Sequence, residues 1–387
     1  MDIYIVIILI FILFGIIVAR IRQSDDLFSS TFLWSLFGIH QILSITYLIY
    51  ALNSPSDSRK YFRVSSKSED WLPLFGVGTD FINFLAWPFT SLFGFSYFTV
   101  MIIFSFLGFI GILLFYRAAK ENEKRLFPEK RIFGFTEILF LLPNLHFWTS
   151  SIGKGSIIIL GIGLFFFGLS RFNKRGLYIL FGGLIIYLVR PHILFALLLA
   201  TLGGVLITNS GIKNFYKFII IVVSTIAIYL ISDNVVEFTE VTNFDVLNSN
   251  ELDSKARSLS RATSGVDISS YSIPMKLFSF WFRPLFIDAP NFVGLIVSFE
   301  NLYYIYIFSL VIIYGFKYWS HLNGWYRICI IMFILASIVL SQVTGNLGIA
   351  LRQKAQIMPL LFIFVSKLIL LRRDFRNLEQ VSKFVKK

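Results

Sequence analysis

Long apolar runs separated by short polar breaks make up most of this chain. A bilayer crossing takes about 17 to 25 apolar residues, and shorter segments are tolerated when buried among neighbours. The pattern therefore predicts about 11 helical spans, at residues 3–19, 31–52, 93–116, 134–149, 155–170, 177–190, 193–209, 218–232, 291–315, 328–342 and 355–371. The first run has no basic leader and no small-residue cleavage site, and basic residues follow it, so it is expected to stay as a helix. The expected fold is all-α, a polytopic transmembrane helical bundle. No internal repeat or separate soluble segment is evident, so residues 1–387 read as a single integral membrane domain.

Composition supports that class. With 56% hydrophobic and only 15% charged residues, and a mean hydropathy of +0.75, the chain has too little polar surface to cover a soluble globule. The single cysteine, Cys329, lies in an apolar run and the four histidines are scattered. A disulfide framework, a thiolate site and a dedicated metal cage are therefore not expected, and neither is a cofactor. A net charge of +13 would suggest nucleic acid in a soluble protein. Here its distribution follows membrane topology, and no nucleic-acid partner is expected.

Placing the amino terminus outside assigns about 22 basic residues to about 75 cytoplasmic positions, and about 13 to roughly 120 outer ones. This bias predicts the amino terminus outside and the carboxyl terminus cytoplasmic, with a basic tail at 372–387 and membrane lipid as a partner at the inner surface. Two large outer loops result, at about 53–92 and 233–290. The first is polar to Tyr61 and aromatic from Trp71 to Trp87, so it is expected to lie in the interface or to re-enter the membrane partway. The second begins polar, with disorder expected at 248–270. Its aromatic and basic end, from Met275 to Pro284, is expected to touch the membrane surface.

Arg190-Pro191-His192 interrupts the run from Leu177 to Thr208, which otherwise carries no charged side chain. A lone cation there is costly in lipid unless water or an anion meets it. Topology moves it to a tight outer turn, on the side also assigned to Lys154, Arg283 and Arg352. Guanidinium groups match phosphate oxygens bidentately and stay charged, so such a grouping suits a pyrophosphate. Taken singly, each cation at a span end also fits an interfacial snorkeller. His192 is suited to proton transfer or to a carbonyl freed beside Pro191. Lys276 and Lys354 are expected to be solvated or on lipid headgroups, and His40 and His146 to be packing residues.

Glu300, beside Asn301, falls about ten residues into an apolar span, where a carboxylate is either a site residue or the structural partner of an arginine. Asp57, Asp80, Asp267 and Asp288 are outer-face alternatives for a general base. The turn from Gly345 to Gly348, which includes Asn346, allows backbone to approach a ligand or simply starts a helix.

Phe147-Trp148-Thr149-Ser150-Ser151-Ile152-Gly153-Lys154, Arg190-Pro191-His192, Phe282-Arg283-Pro284, Asn346-Leu347-Gly348 and Arg352-Gln353-Lys354 resemble the scattered signatures of bacterial oligosaccharide repeat-unit polymerases of the O-antigen type. The similarity spans roughly residues 50 to 360. It implies a metal-independent membrane glycosyltransferase of the GT-C kind, joining polyprenyl-pyrophosphate-linked oligosaccharides on the outer face of the bacterial inner membrane. A flippase and a chain-length regulator are candidate partners. The stretch from Asp57 to Tyr61 also resembles the first-loop acidic motif of such enzymes, although the doubled acid is missing.

The expected mechanism has a hydroxyl of one lipid-linked unit attack the anomeric carbon of the growing chain. Lys154, Arg190, Arg283 and Arg352 meet the leaving pyrophosphate in place of a metal, and His192, Glu300 or Asp57 handles the proton. Asn346, Gln353 and Trp281 are candidate substrate contacts. An O-antigen ligase, another GT-C glycosyltransferase, and a transporter or flippase of lipid-linked sugars are the alternatives, together with a noncatalytic scaffold.

Overall fold

A computed structural model describes residues 2–24, 27–123, 133–207, 214–239, 271–289, 292–343 and 346–385. Every regular element among them is helical. Seven helices are long and apolar enough to cross a membrane, and shorter apolar helices cover Lys154–Ser170, Pro191–Leu206 and Lys217–Ile231. Each expected span coincides with a single helix except 134–149. There, Pro143 divides the chain into α6 (Phe135–Phe140) and α7 (Pro143–Phe147), because proline disfavours helical geometry in the residue before it and suits the first turn of a new helix. The stretch 248–270, with Asp267, lies outside the described residues, as does Gly345.

The chain divides into two compact units, Met1–Asn122 with Phe140–Leu194, and Glu123–Leu139 with Phe195–Lys387. The first contains α1 (Asp2–Ser24), α2 (Ser30–Asn53), α3 (Asp57–Lys67), α4 (Thr79–Trp87), α5 (Tyr97–Asn122), α7, α8 (Lys154–Ser170) and α9 (Phe172–Val189). Interlocked rings hold α1 and α2 on α5: Phe14 lies 4.6 Å from Phe37 and 5.2 Å from Phe109. Glycine brings α5 and α8 into backbone contact. A Cβ added at Gly111 would stand 2.4 Å from the Ile159 carbonyl oxygen, and one at Gly163 would stand 2.5 Å from that of Gly111. Such small-residue seams suit a bilayer, where close packing replaces the hydrophobic drive between helices.

At the far end of this seam Glu121 accepts from Arg117 at 3.2 Å and from Arg175 at 2.6 Å, and forms an ion pair with Arg171 at 3.4 Å. Arg175 also lies 3.7 Å over the Phe167 ring, and its own backbone departs from helical geometry, kinking α9 as it starts. At the other end, the first expected outer loop folds as α3 and α4. Trp71 stacks on Phe84 and Trp87, and the two indole nitrogens donate to the Phe84 and Ser68 carbonyls. A wider turn over Pro88–Leu92 then leads towards α5.

The second unit holds α6, most of α10 (Pro191–Ile207), and α11 (Asn214–Thr239). It also contains α12 (Ile273–Phe282), α13 (Phe292–Tyr318), α14 (Gly324–Val343) and α15 (Leu347–Val385). The short connections after α13 and α14 place the start of α13, the end of α14 and the start of α15 at one end of this unit.

The segment from Met275 to Pro284 runs down from that end, with Met275 and Phe278 left exposed. Lys276 Nζ donates to Gln342 Oε1 at 3.3 Å, and Trp281 Nε1 to Ser337 Oγ at 2.9 Å. Both partners are five residues apart on each helix, so α12 runs antiparallel to α14 and descends about 7.5 Å along it between these two bonds. The Trp281 ring then packs on Phe308 and Phe333. Aromatic bulk and indole hydrogen bonding thus draw the segment in among the spans.

Candidate functional site

The inserted helix α12 ends inside its unit, leaving carbonyl groups that lipid cannot satisfy. Two side chains meet them. Lys354 Nζ donates to the Trp281 carbonyl at 2.9 Å and to Asn301 Oδ1 at 2.6 Å, while Asn301 Nδ2 donates to the Pro284 carbonyl at 2.7 Å. Ser298 Oγ reaches the same Pro284 oxygen at 3.3 Å. A positive charge at the end of α12 also opposes the negative end of its dipole.

Lys354 and Asn301 are fully buried, and Glu300 is 9% exposed. Glu300 accepts from the Tyr304 hydroxyl and interacts electrostatically with Lys354, whose ammonium also lies 5.0 Å from the Tyr304 ring centroid. Glu300 is eight residues past Phe292 and Lys354 seven past Leu347, so both stand about 10–12 Å inside their helices. The carboxylate expected inside a span therefore meets a lysine that was expected in solvent or on lipid headgroups. Lys276, given the same expectation, is buried.

Arg283 follows α12 directly. Its Nε donates to Asp288 Oδ2, and its Nη1 reaches the Tyr271 hydroxyl at 3.5 Å. Partial burial works against the guanidinium charge, but the bonds and attraction to Asp288 and Tyr271 outweigh it and raise the pKa above its ordinary value. Asp288 also accepts from the Leu285 amide, so the carboxylate fixes both the arginine and the turn that carries it.

On α15, Arg352 is half-buried and Gln353 buried, immediately before Lys354. Asn346 starts this helix: its Oδ1 accepts from the Gly348 and Ile349 amides at 2.9 and 3.2 Å. That is helix capping, the plainer of the two roles expected for the turn.

In the first unit, Lys154 opens α8 and Arg190 closes α9, at the same end of this antiparallel pair. Gly153 has φ +154, and a Cβ there would stand 3.2 Å from the Tyr61 ring. The turn before Lys154 therefore lies under α3, whose exposed first residue is Asp57. The Gly78 amide donates to the Leu188 carbonyl at 2.7 Å, fastening the start of α4 near Arg190. Arg190 is 9% exposed, and its carbonyl accepts from the Ile193 amide at 3.0 Å as α10 begins. His192 is half-buried on that first turn.

The structure thus gathers Trp281, Arg283 and Glu300 around Lys354, with Arg352 and Gln353 on the adjoining turn. Asn301 and Tyr304 complete the group without having been singled out as site residues. The available signal was Asn301 beside Glu300 in an apolar run. Among the described residues, no three His, Cys, Asp or Glu side chains stand together as a metal site requires. Compared with known proteins, the chain matches no family model, no curated protein and no solved structure.

Proposed function

We propose that this chain is a metal-independent membrane glycosyltransferase of the polysaccharide-polymerase type, acting on polyprenyl-pyrophosphate-linked oligosaccharides in the bacterial cytoplasmic membrane. In this reading about 11 segments cross the bilayer, the amino terminus is outside and the carboxyl terminus is cytoplasmic. The observation that carries the reading is Arg283 at the tip of an inserted segment, beside the buried group of Glu300 and Lys354. A guanidinium held there offers a phosphate-matching fork, and a carboxylate stands in the same unit.

In the proposed step, an acceptor hydroxyl oxygen bonds the anomeric carbon while the bond from that carbon to the pyrophosphate oxygen breaks. The bonding pair leaves with the pyrophosphate, the hydroxyl proton passes to a base, and arginine stabilises the developing negative charge. Arg283 and Arg352 are the arginine candidates of the second unit, and Glu300 is its base candidate. Asp288 holds the Arg283 guanidinium and fixes the turn that presents it.

One observation favours the transporter alternative: a buried carboxylate and ammonium about 10–12 Å inside their helices also suit ion-coupled movement. Deleting the protein and resolving surface polysaccharide on a gel separates the two. A polymerase predicts loss of the long-chain ladder with retention of a single-repeat band. Loss of both bands supports the transporter, and an unchanged ladder refutes both.

A further inference from the structure

Within the first unit, two histidines far apart in sequence face each other. His40 on α2 and His146 on α7 are both fully buried. Their Nδ1 atoms lie 3.1 Å apart. On the outer sides of the pair, His40 Nε2 lies 3.0 Å from the Ser105 carbonyl oxygen and His146 Nε2 lies 2.8 Å from that of Phe140.

Counting protons over these contacts gives an imbalance. A carbonyl oxygen only accepts, so each Nε2 must carry hydrogen to make its contact favourable. The contact between the Nδ1 atoms needs one hydrogen more. Three protons are required on four ring nitrogens, whereas two neutral imidazoles carry two. With the rings in this orientation, a neutral pair either sets two nitrogen lone pairs against each other or turns a bare nitrogen towards a carbonyl oxygen.

We propose that His40 and His146 form a proton-binding site, in which a third proton is held between the two Nδ1 atoms and the pair carries one positive charge. The spacing fits this ligand. It matches the length of an N–H···N hydrogen bond, whereas a metal ion held linearly between two nitrogens needs two bonds of about 2 Å each.

The elements around the pair offer no other charge. From α5 come the Ser105 carbonyl and the Phe109 ring, whose centroid lies 5.5 Å from that of His40. The chain before α7 supplies the Phe140 carbonyl. Among the described residues, no acidic or basic side chain besides the partner ring acts on either histidine. Burial opposes the charge, and the hydrogen bonds to two carbonyl dipoles and across the pair act against that cost.

Occupancy has a structural consequence. When the third proton leaves, one ring loses either its carbonyl contact or its partner, which weakens the link from α2 to α7. The Thr149 amide bonds the His146 carbonyl at 3.3 Å and belongs to the turn that leads to Lys154, so proton occupancy is linked to the footing of that cation.

The test uses the full-length protein in detergent micelles, with 15N-labelled histidine and the substitutions His192→Gln and His321→Gln, so that only the pair reports. Imidazole 15N spectra are expected to show three protonated nitrogens of four at about pH 6, with a coupling across the hydrogen bond between the two Nδ1 atoms. The pair's resonances are also read in the unsubstituted protein, assigned through the coupling across the hydrogen bond, so the outcome does not depend on the variant folding. Two protonated nitrogens of the four throughout about pH 5 to 8, with or without the coupling, overturns the proposal.

Discussion

Lys354 donates 2.6 Å to the side-chain oxygen of Asn301, and the same asparagine passes its amide hydrogen to the Pro284 carbonyl. One pair of residues therefore joins α13, α15 and the turn that carries Arg283. Removing either end leaves polar groups stranded among apolar neighbours.

Lys354→Met is expected to lower stability by roughly 3–5 kcal/mol, the usual cost of breaking a buried ionic contact from one side. Adding Glu300→Gln to that variant removes the uncompensated carboxylate and should restore part of the loss. Thermal unfolding of the purified protein in detergent measures both. Additive losses instead of partial recovery rule out coupling between the two charges.

Arg283→Ala is expected to reduce polymer formation about 10²- to 10³-fold, the range for losing one transition-state hydrogen-bond donor. Arg283→Lys keeps the charge but loses the planar fork, and should recover only part of the activity. The assay follows chain length from lipid-linked repeat units, with membrane expression checked by immunoblot. Wild-type chain lengths from Arg283→Ala refute a role for this residue in binding the leaving group.

Insertion of α12 predicts a gradient of accessibility. In a Cys329→Ala background, Tyr271→Cys is expected to react with a membrane-impermeant maleimide, whereas Ser279→Cys, at a buried position, stays unlabelled until the protein is denatured. Equal labelling of both in intact cells contradicts the inserted arrangement.

Topology is tested with two fusions after Lys387. A green fluorescent protein is expected to be fluorescent there and alkaline phosphatase inactive, because the basic tail favours the cytoplasmic side. The reverse pattern inverts the orientation and contradicts the proposed chemistry on the outer face.

Gly111→Ala is expected to destabilise by roughly 1–3 kcal/mol, since the new methyl group meets a backbone carbonyl that cannot rotate away. Gly38→Ala serves as the control: a Cβ there has no atom within 4 Å, and the change should stabilise by about 0.5–1 kcal/mol. Melting temperatures of the two variants moving in the same direction dispute the seam.

The helices were legible because apolar length is a local property: the break at Arg190-Pro191 ends α9 and starts α10 where the sequence placed a turn. The burial of Lys354 was not legible in the same way. It depends on the carbonyl of Trp281 and the side chain of Asn301, more than fifty positions away in sequence, and Trp281 is itself placed by its bond to Ser337. The division of 134–149 by Pro143 was available from the proline itself, but the apolar run around it masked the break. Glu300 was found because an acid in such a run is conspicuous, whereas nothing local in the sequence pointed to its interactions with Tyr304 and Lys354.

At the glycine contacts between α5 and α8 backbone meets backbone, so no rotamer change at those points lets one helix ratchet past the other. Lys154 begins α8 at the end of that seam. Sliding α8 is therefore a costly way to move this cation, and adjustment falls to the six residues 148–153, the turn between α7 and α8.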